Sequence, residues 1–253
     1  MAMELQKASF WKRISAWLFD NILLVTLTVL FALMLSALLG FDRQSEALEQ
    51  VYTDYETRYG ITFDISEEDY LALSEQEKKN YDDAYEALIK DEEMMYAYGM
   101  VMNLSLIITS VSILLAVAAL EFAVPLLFKN GQTLGKQIFG IALIRDDGVR
   151  MNMMQLLTRV LLGRYTVGIM IPVLVFLMLI FNITGLFGTL LVLGLWLAQL
   201  LCLCFTRNKV GLADLMAGTV PVDLSSQKIF ESTEDLIAYT KKLHAERAAR
   251  QDY

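Results

Sequence analysis

The pattern of hydrophobic and polar positions is dominated by four long apolar runs that polar stretches separate. The runs cover residues 14–39, 101–128, 166–181 and 186–205. A helix needs about 20 apolar residues to span a hydrocarbon core of about 30 Å. We therefore expect an all-α membrane protein with four transmembrane helices. The first run is longer than the apolar part of a signal peptide, so we interpret it as a retained anchor.

The composition agrees with a multi-pass membrane protein. Of the 253 residues, 56% are hydrophobic, and the mean hydropathy is +0.46, which is too apolar for an ordinary soluble domain. The two cysteines, Cys202 and Cys204, lie inside the fourth run without a neighbouring histidine. This placement is evidence against a disulfide framework and against a zinc site.

Charge is distributed unevenly, and it predicts how the helices are oriented. Residues 40–99 carry 17 acidic and 5 basic residues, whereas the rest of the chain carries 12 acidic and 16 basic residues. Lysine and arginine accumulate on the cytoplasmic side of membrane proteins. The acidic segment is therefore expected outside the cell, and both termini are expected in the cytoplasm.

The acidic segment has the sequence pattern of helices. Ser66 with Asp69, and Ser74 with Glu77, have the spacing of capping boxes. The sequence then continues without proline or glycine as far as Gly99. We expect an extracytoplasmic helical hairpin whose second arm is continuous with the second transmembrane helix. It forms either a binding module or a cap that packs on itself.

The segment between the second and third runs is basic and amphipathic. Its GQTLGK stretch at 131–136 is not a P-loop, which needs four residues between Gly and Gly-Lys. Residues 137–144 suit a short extended piece that turns at Asp147-Gly148, and residues 153–162 have the spacing of an amphipathic helix in the inner interface. Four basic side chains of this segment are expected to bind lipid headgroups. They are Lys129, Lys136, Arg159 and Arg164.

Two motifs and three charged residues stand out as a set. The motifs are GQTLGK followed by x-x-x-GI at 131–141, and GLADLMAGTVPVD at 211–223. Together with Arg13, Asp20 and Asp214 they resemble the RDD family of bacterial membrane proteins, which is named for one arginine and two aspartates. A histidine that the family often has directly before the second aspartate is alanine here. The resemblance implies a bacterial plasma-membrane protein with a role in transport, including cation/proton exchange.

Three polar side chains within the apolar runs lie at nearly the same depth from the cytoplasmic side. Asp20 comes six residues after the start of its run, Glu121 seven residues before the end of its run, and Gln199 six before the end of its run. At 1.5 Å per residue these positions lie roughly 9 to 10 Å inside the membrane. Pro125 cannot donate a hydrogen bond to the carbonyl of Glu121, which leaves that oxygen available.

This polar layer has two interpretations. In the first, two carboxylates, an amide and a free carbonyl coordinate a small cation, or the two acids share a proton that they exchange near neutral pH. In the second, Asp20 and Glu121 are neutralised by Arg13, Arg159 or Arg164 and form a static clamp that fixes the helices.

Two further elements follow the fourth run. Asp214 lies in a short segment bounded by glycines, where it either lines an inner mouth for cations or pairs with a nearby base, Arg207 or Lys209. Farther along, Ser232 and Asp235 have the capping spacing that predicts a helix in the C-terminal tail.

These features predict seven consecutive segments. In chain order they are the cytoplasmic N-terminus with the first helix (1–39), the acidic insert (40–99), the second helix (100–128), the basic connector (129–165), the hairpin of the third and fourth helices (166–205), the element containing Asp214 (206–224) and the tail helix (225–253).

Two classes of function fit this organisation. The first is a homo-oligomeric transporter of a small cation or protons, because four helices enclose little space within one protomer. The second is a non-catalytic scaffold or accessory subunit that binds another protein through the insert or the tail.

The sequence lacks a serine, cysteine or metal constellation with a base, so we expect no enzyme, catalytic residue, cofactor or resident metal. Membrane lipids are expected partners, and nucleic acid is not.

Overall fold

Most of the chain is helical. The computed structural model describes residues 5–128, 131–180, 185–206 and 210–251. Three helices in these ranges are long and apolar enough to cross a membrane. They are Phe10–Leu39, Glu92–Phe128 and Met153–Val173. The prediction of a helical membrane protein is confirmed, whereas the count of four crossings and the orientation of the termini stay predictions.

Contacts divide the chain into two compact units. The first unit consists of Met1–Thr28 and Ile113–Tyr253, and the second of Val29–Ser112. Helix α1 (Phe10–Leu39) and helix α5 (Glu92–Val117) each contribute residues to both units.

The second unit contains a helical hairpin with a small core of its own. Its helices after α1 are α2 (Phe41–Tyr59), α3 (Glu67–Ala72), α4 (Glu75–Lys90) and the first part of α5. Helices α2 and α4 contact each other, and Tyr55, Leu88 and Met94 are buried together between aromatic and aliphatic neighbours. The expected hairpin is therefore present.

The predicted helix caps are present in this hairpin. The Ser66 hydroxyl accepts a hydrogen bond from the Asp69 N–H, and Ser74 with Glu77 forms a complete capping box. The predicted continuity with the next helix is wrong. Helix α4 ends at Asp91, whose backbone is extended and whose carboxylate accepts hydrogen bonds from N–H groups of the following turn. An aspartate in this position starts a new helix because it satisfies free N–H groups.

Two long helices contain π-helical segments. Helix α5 continues through Ala118–Ala123 into α6 (Val124–Phe128), and α8 (Met153–Leu157) continues through Thr158–Met170 into α9 (Ile171–Ile180). The expected interfacial helix at 153–162 is therefore the beginning of a longer apolar helix, and the predicted boundary at 165 falls inside it. Helix α10 (Gly185–Phe205) follows and contacts α9.

A two-stranded sheet in the first unit contradicts the all-α prediction. Strand β1 (Ile141–Arg145) pairs antiparallel with β2 (Thr219–Asp223), and Lys7 pairs with Val222 on the other side of β2. Both strands are almost completely buried. Short apolar runs that are buried on both faces lack the alternation of a half-buried strand, so their periodicity does not reveal them.

The predicted extended piece and turn correspond to part of this sheet. Helix α7 (Leu134–Ile138) occupies the start of the expected extended piece, and β1 occupies its end. The turn lies where it was expected, with Gly148 at a positive φ of 92°. Such a φ favours glycine.

Two helices complete the first unit. Helix α11 (Leu212–Ala217) is bounded by Gly211 and Gly218, and α12 is the helix of the tail (Thr233–Gln251). The Ser232 hydroxyl accepts a hydrogen bond from the Asp235 N–H, so the predicted cap of the tail helix is confirmed.

Candidate functional site

A cluster of six buried or partly buried charged residues lies in the first unit. Its members come from five elements that are far apart in the sequence. They are Asp20 of α1, Glu121 of the first π-helical segment, Lys136 of α7, Arg159 and Arg164 of the second π-helical segment, and Asp214 of α11. We call this set the charge cluster.

Asp20 is held by the N-terminus of α7. Its Oδ1 accepts a hydrogen bond of 2.7 Å from the Gly135 N–H, and its Oδ2 accepts a short hydrogen bond from the Thr133 hydroxyl. The Lys136 Nζ lies 3.6 Å from the same Oδ2 and donates to the Thr133 hydroxyl oxygen at 3.0 Å. Free N–H groups at a helix start favour a carboxylate, so α7 offsets the cost of placing Asp20 inside an apolar helix.

Gly135 allows this close approach of α7 to α1. A Cβ atom at this position would lie 2.4 Å from the Ala16 carbonyl oxygen and 2.9 Å from Asp20 Oδ1. Such contacts are far inside van der Waals distance, so a side chain would separate the two helices. The second glycine of GQTLGK therefore has a packing role, and the hydroxyl and N–H groups of that stretch bind a carboxylate rather than a phosphate.

Glu121 is enclosed by two arginines. Arg164 Nε lies 3.2 Å from Glu121 Oε1, and Arg159 Nη1 lies 3.7 Å from Oε2. Glu121 Oε2, Arg159 Nη1 and Arg164 Nε are buried and make no hydrogen bond within the described ranges, so ion pairing is their main stabilisation. The other end of the Arg164 guanidinium donates a hydrogen bond of 2.8 Å to Asn21 Oδ1, which connects it to α1.

Asp214 completes the cluster from α11. Its Oδ1 accepts hydrogen bonds from Arg159 Nε at 2.7 Å and from the Thr219 hydroxyl at 3.1 Å. Helix α11 can lie this close because Gly163 faces Ala213, and a Cβ on Gly163 would lie 2.6 Å from Ala213 Cα. Asp214 also interacts electrostatically with Arg13, so the three naming residues of the resemblance all belong to, or act on, one site.

The cluster contains three acids and three bases. Arginine stays charged in proteins, whereas a buried lysine can lose its proton. Burial lowers the pKa of the Lys136 ammonium below its usual range, and the nearby charge of Arg159 lowers it further, while the carboxylates act in the opposite direction. Lys136 is therefore the one base of the cluster that can release a proton.

The structure brings together two of the three residues of the predicted polar layer. Asp20 and Glu121 both lie in the charge cluster, but each has its own cationic partners. Gln199 is directed elsewhere, and its Oε1 accepts a hydrogen bond of 2.9 Å from the Leu212 N–H at the start of α11. Equal depth along a helix does not fix the direction in which a side chain points, which explains the difference.

The expected headgroup contacts of the connector need correction. Lys136, Arg159 and Arg164 are turned towards carboxylates, with side chains that are 8 to 17% exposed. A buried carboxylate without a cationic partner is strongly destabilising, which accounts for these bases facing the acids rather than the lipid surface. Lys129 lies outside the described residues. So do Arg207 and Lys209, and among the described residues Asp214 forms its ion pair with Arg159.

The sequence pattern did not identify the partners of Asp20. Thr133, Gly135 and Lys136 belong to the GQTLGK stretch, for which the sequence predicted a headgroup contact of Lys136 but no contact with Asp20. The signal that could have identified them is physical: an aspartate inside an apolar helix requires donors, and this stretch contains a threonine in a capping position.

The three helices that are long and apolar enough to cross a membrane place the chain in the class of helical membrane proteins. Residues 7–218 match the model of the RDD family, a membrane-associated family, and the chain belongs to that family. No curated protein and no solved structure matches the chain.

Proposed function

We propose that this protein exchanges a small cation for protons across a bacterial plasma membrane, with Asp20 and Lys136 as the exchange pair. The proposal depends chiefly on one observation, the buried pair in which Lys136 Nζ lies 3.6 Å from Asp20 Oδ2. A carboxylate paired with an ammonium group that can lose its proton is suited to alternate between proton-linked and cation-bound states.

In the proposed cycle, Lys136 releases its proton and leaves Asp20 without its cationic partner. The Asp20 carboxylate then binds a small cation, the substrate, while the Gly135 N–H and the Thr133 hydroxyl keep the carboxylate in place. Protonation of Lys136 restores the pair and displaces the cation. The lowered pKa of Lys136 supports this cycle because it brings proton release closer to physiological pH.

The proposal does not require a preformed multidentate site. In the ranges that the structure describes, no group of three Asp, Glu, His or Cys side chains is placed to hold a metal ion. The cation would instead compete with Lys136 for a single carboxylate. Glu121, which two arginines hold, is assigned a supporting role, and Gln199 is assigned none in cation binding.

The test measures pH-gradient dissipation in proteoliposomes on addition of Na⁺, K⁺ or Li⁺. Three proteins are compared with the wild type: Asp20→Asn, Lys136→Arg and the control Lys12→Arg. The Lys136→Arg change keeps the positive charge but prevents proton release. Lys12 forms an ion pair with Asp223 outside the cluster, so its replacement is chemically matched.

The expected result is cation-driven proton movement by the wild type and by Lys12→Arg. Asp20→Asn and Lys136→Arg should lose at least about tenfold in rate because one lacks the carboxylate and the other cannot deprotonate. No cation-driven proton movement by folded wild-type protein would rule out the exchange of these ions. Full activity of Lys136→Arg would rule out Lys136 as the exchanging base.

A second function, a non-catalytic scaffold or accessory subunit, is favoured by one specific observation. Each carboxylate of the charge cluster has a cationic partner, namely Lys136 for Asp20, Arg159 and Arg164 for Glu121, and Arg159 for Asp214. This arrangement also suits a static clamp. A scaffold would tolerate Lys136→Arg, and deletion of residues 42–95 or truncation after residue 225 would remove partner binding. Neither function includes an enzymatic step.

We further propose four membrane crossings with both termini in the cytoplasm, and a homo-oligomer. The acidic insert and the basic remainder of the chain support this orientation through the preference of lysine and arginine for the cytoplasmic side. Site-directed labelling of single cysteines from either side of the membrane tests the orientation, and mass measurement of the purified protein in detergent tests the oligomer.

A further inference from the structure

Three short helices of the first unit carry large apolar side chains on their exposed surfaces. Helices α7 and α11 have five and six residues, and α8 is the first five residues of the longer apolar helix Met153–Val173. Their exposed apolar residues, with the exposed fraction of each, are Ile138 (63%), Met153 (49%), Met154 (68%), Leu215 (50%) and Met216 (42%). We call these five residues the apolar rim.

The opposite sides of the same helices carry polar groups that point inward. Helix α7 directs Lys136 to Asp20, and α11 directs Asp214 to Arg159. Helix α8 directs Gln155 to α11, where its Nε2 donates a hydrogen bond of 3.2 Å to the Ala217 carbonyl oxygen. Each helix therefore has a polar inner side and an apolar outer side.

The three helices belong to one region of the unit. The hydrogen bond from Gln155 joins α8 to α11, and Lys136 of α7 interacts electrostatically with Asp214 of α11. Two of the three helices that carry the apolar rim, α7 and α11, therefore also contribute to the charge cluster, and α8 is bonded to one of them.

We propose that the apolar rim inserts among the lipids of one leaflet, where its side chains contact acyl chains close to the headgroups. Two of the three helices lie next to candidate membrane helices along the chain. Helix α8 is the first turn of the apolar helix Met153–Val173, and α7 begins six residues after α6, the end of the apolar helix Glu92–Phe128. A short helix with a polar inner side and an apolar outer side, such as α7 or α11, can bury its apolar side among acyl chains near the headgroups.

The contact follows from apolar side chains and not from charge. Three bases that could attract anionic headgroups, Lys136, Arg159 and Arg164, are paired with carboxylates in the charge cluster. The rim residues themselves are uncharged. Insertion should therefore occur in a neutral bilayer and should be insensitive to salt, because salt weakens only interactions between charges.

The test uses the full chain with Cys202→Ser and Cys204→Ser as background. A single cysteine is introduced by Met154→Cys or by Leu215→Cys, on two different helices, and is labelled with bimane. The control is Glu231→Cys, whose side chain is 78% exposed and lies next to the tail helix. Each protein is reconstituted in phosphatidylcholine vesicles with and without bromine on the acyl chains near the carbonyl end. Quenching by aqueous iodide is measured in parallel.

We expect brominated lipid to quench both rim labels strongly and iodide to quench them little, with the reverse at the control position. Replacing part of the phosphatidylcholine by phosphatidylglycerol, or raising the salt concentration, should leave the rim signals unchanged.

Quenching of the rim labels by iodide alone would place the rim in water. Protection from both quenchers would mean that protein, including a second copy of the chain, covers it. Lipid quenching that requires anionic lipid would mean that charge directs the contact. Each of these three results would overturn the proposal.

Discussion

Asp20 shows at the scale of one residue how an acidic side chain is stabilised inside an apolar helix. Its three partners, Thr133, Gly135 and Lys136, come from one short stretch more than 100 residues away in the chain. An aspartate at such a position costs roughly 2.5 to 3.5 kcal/mol on insertion scales. Two hydrogen bonds and one ion pair offset this cost, provided that α7 can approach α1 closely.

Replacing Gly135 by alanine should therefore destabilise the protein. The added Cβ would lie 2.4 Å from a backbone carbonyl oxygen, which cannot move as a side-chain end can, so we expect a loss of about 3 kcal/mol in the free energy of unfolding. The control is Gly194→Ala, because a Cβ at Gly194 meets nothing within 4 Å. Thermal unfolding of both variants in detergent measures the difference, and equal melting temperatures would contradict the packing role of Gly135.

A second residue-scale prediction concerns pH. The hydrogen bond from the Lys12 ammonium, followed by those from Ser225, holds the pKa of the Asp223 carboxyl at about 2 in the folded protein, compared with about 4 in an unfolded chain. A carboxyl whose pKa is lowered by folding stabilises the folded state above its unfolded pKa. This contribution should be lost as the pH falls from about 4 to about 2.

The Lys12→Met variant tests this pH dependence. It removes the first cause of the shift, so the stability of the variant should change less over the same pH range than that of the wild type. Unfolding followed by circular dichroism across that range measures the change. Identical slopes for the two proteins would contradict the assignment to Lys12.

At the scale of the elements, local capping signals were reliable because they depend on residues three positions apart. Ser74 and Glu77 cap α4 in both directions. Ser74→Ala should weaken the start of α4 by about 1 kcal/mol, whereas Ser45→Ala within α2 removes no cap. Hydrogen exchange of the α4 amides in the full chain should become faster in the first variant and remain unchanged in the second. Equal exchange rates would mean that packing, rather than capping, limits the opening of α4.

The π-helical segments are the elements that position half of the charge cluster. Glu121 lies in one, and Arg159 and Arg164 lie in the other. A π-helical turn contains more residues than an α-helical turn and often occurs at functional sites. Because the sequence pattern was interpreted with α-helical periodicity, the directions of these three side chains could not be predicted, although their helices could.

At the scale of the whole molecule, the charge cluster joins side chains from five elements that are far apart in the sequence. Glu121→Gln should leave Arg159 and Arg164 with too little negative charge nearby and cost about 3 to 5 kcal/mol, the usual penalty for breaking a buried pair. Adding Arg164→Met should recover part of this loss, because it removes the one positive charge that is then in excess over the remaining carboxylates.

Unfolding of the two single variants and the double variant in detergent measures this coupling. Strictly additive losses would contradict the ion pair between Glu121 and Arg164, because independent residues show no coupling energy. The result also bears on function, since a transport assay of Glu121→Gln is informative only if the variant remains folded.

The sequence was sufficient for the membrane class, the apolar helices, the family and the caps, because each depends on local pattern or composition. It also identified Asp20 and Glu121 as buried acids, since both lie within apolar runs of the sequence. The pairing of β1 with β2 and the contact of Gln199 with α11 depend on segments that the chain brings together only after folding. Local periodicity carries no information about either of them.

The small sheet restricts how the chain can be threaded through a bilayer. Lys7, β1 and β2 are joined by backbone pairing, so all three lie on the same side of any membrane that the helices cross. The chain must therefore cross an even number of times between Lys7 and β1, and again an even number of times between β1 and β2. If the helix that begins at Met153 crosses, a return crossing must follow before Thr219, and α10 is the long apolar helix of the described chain in that interval.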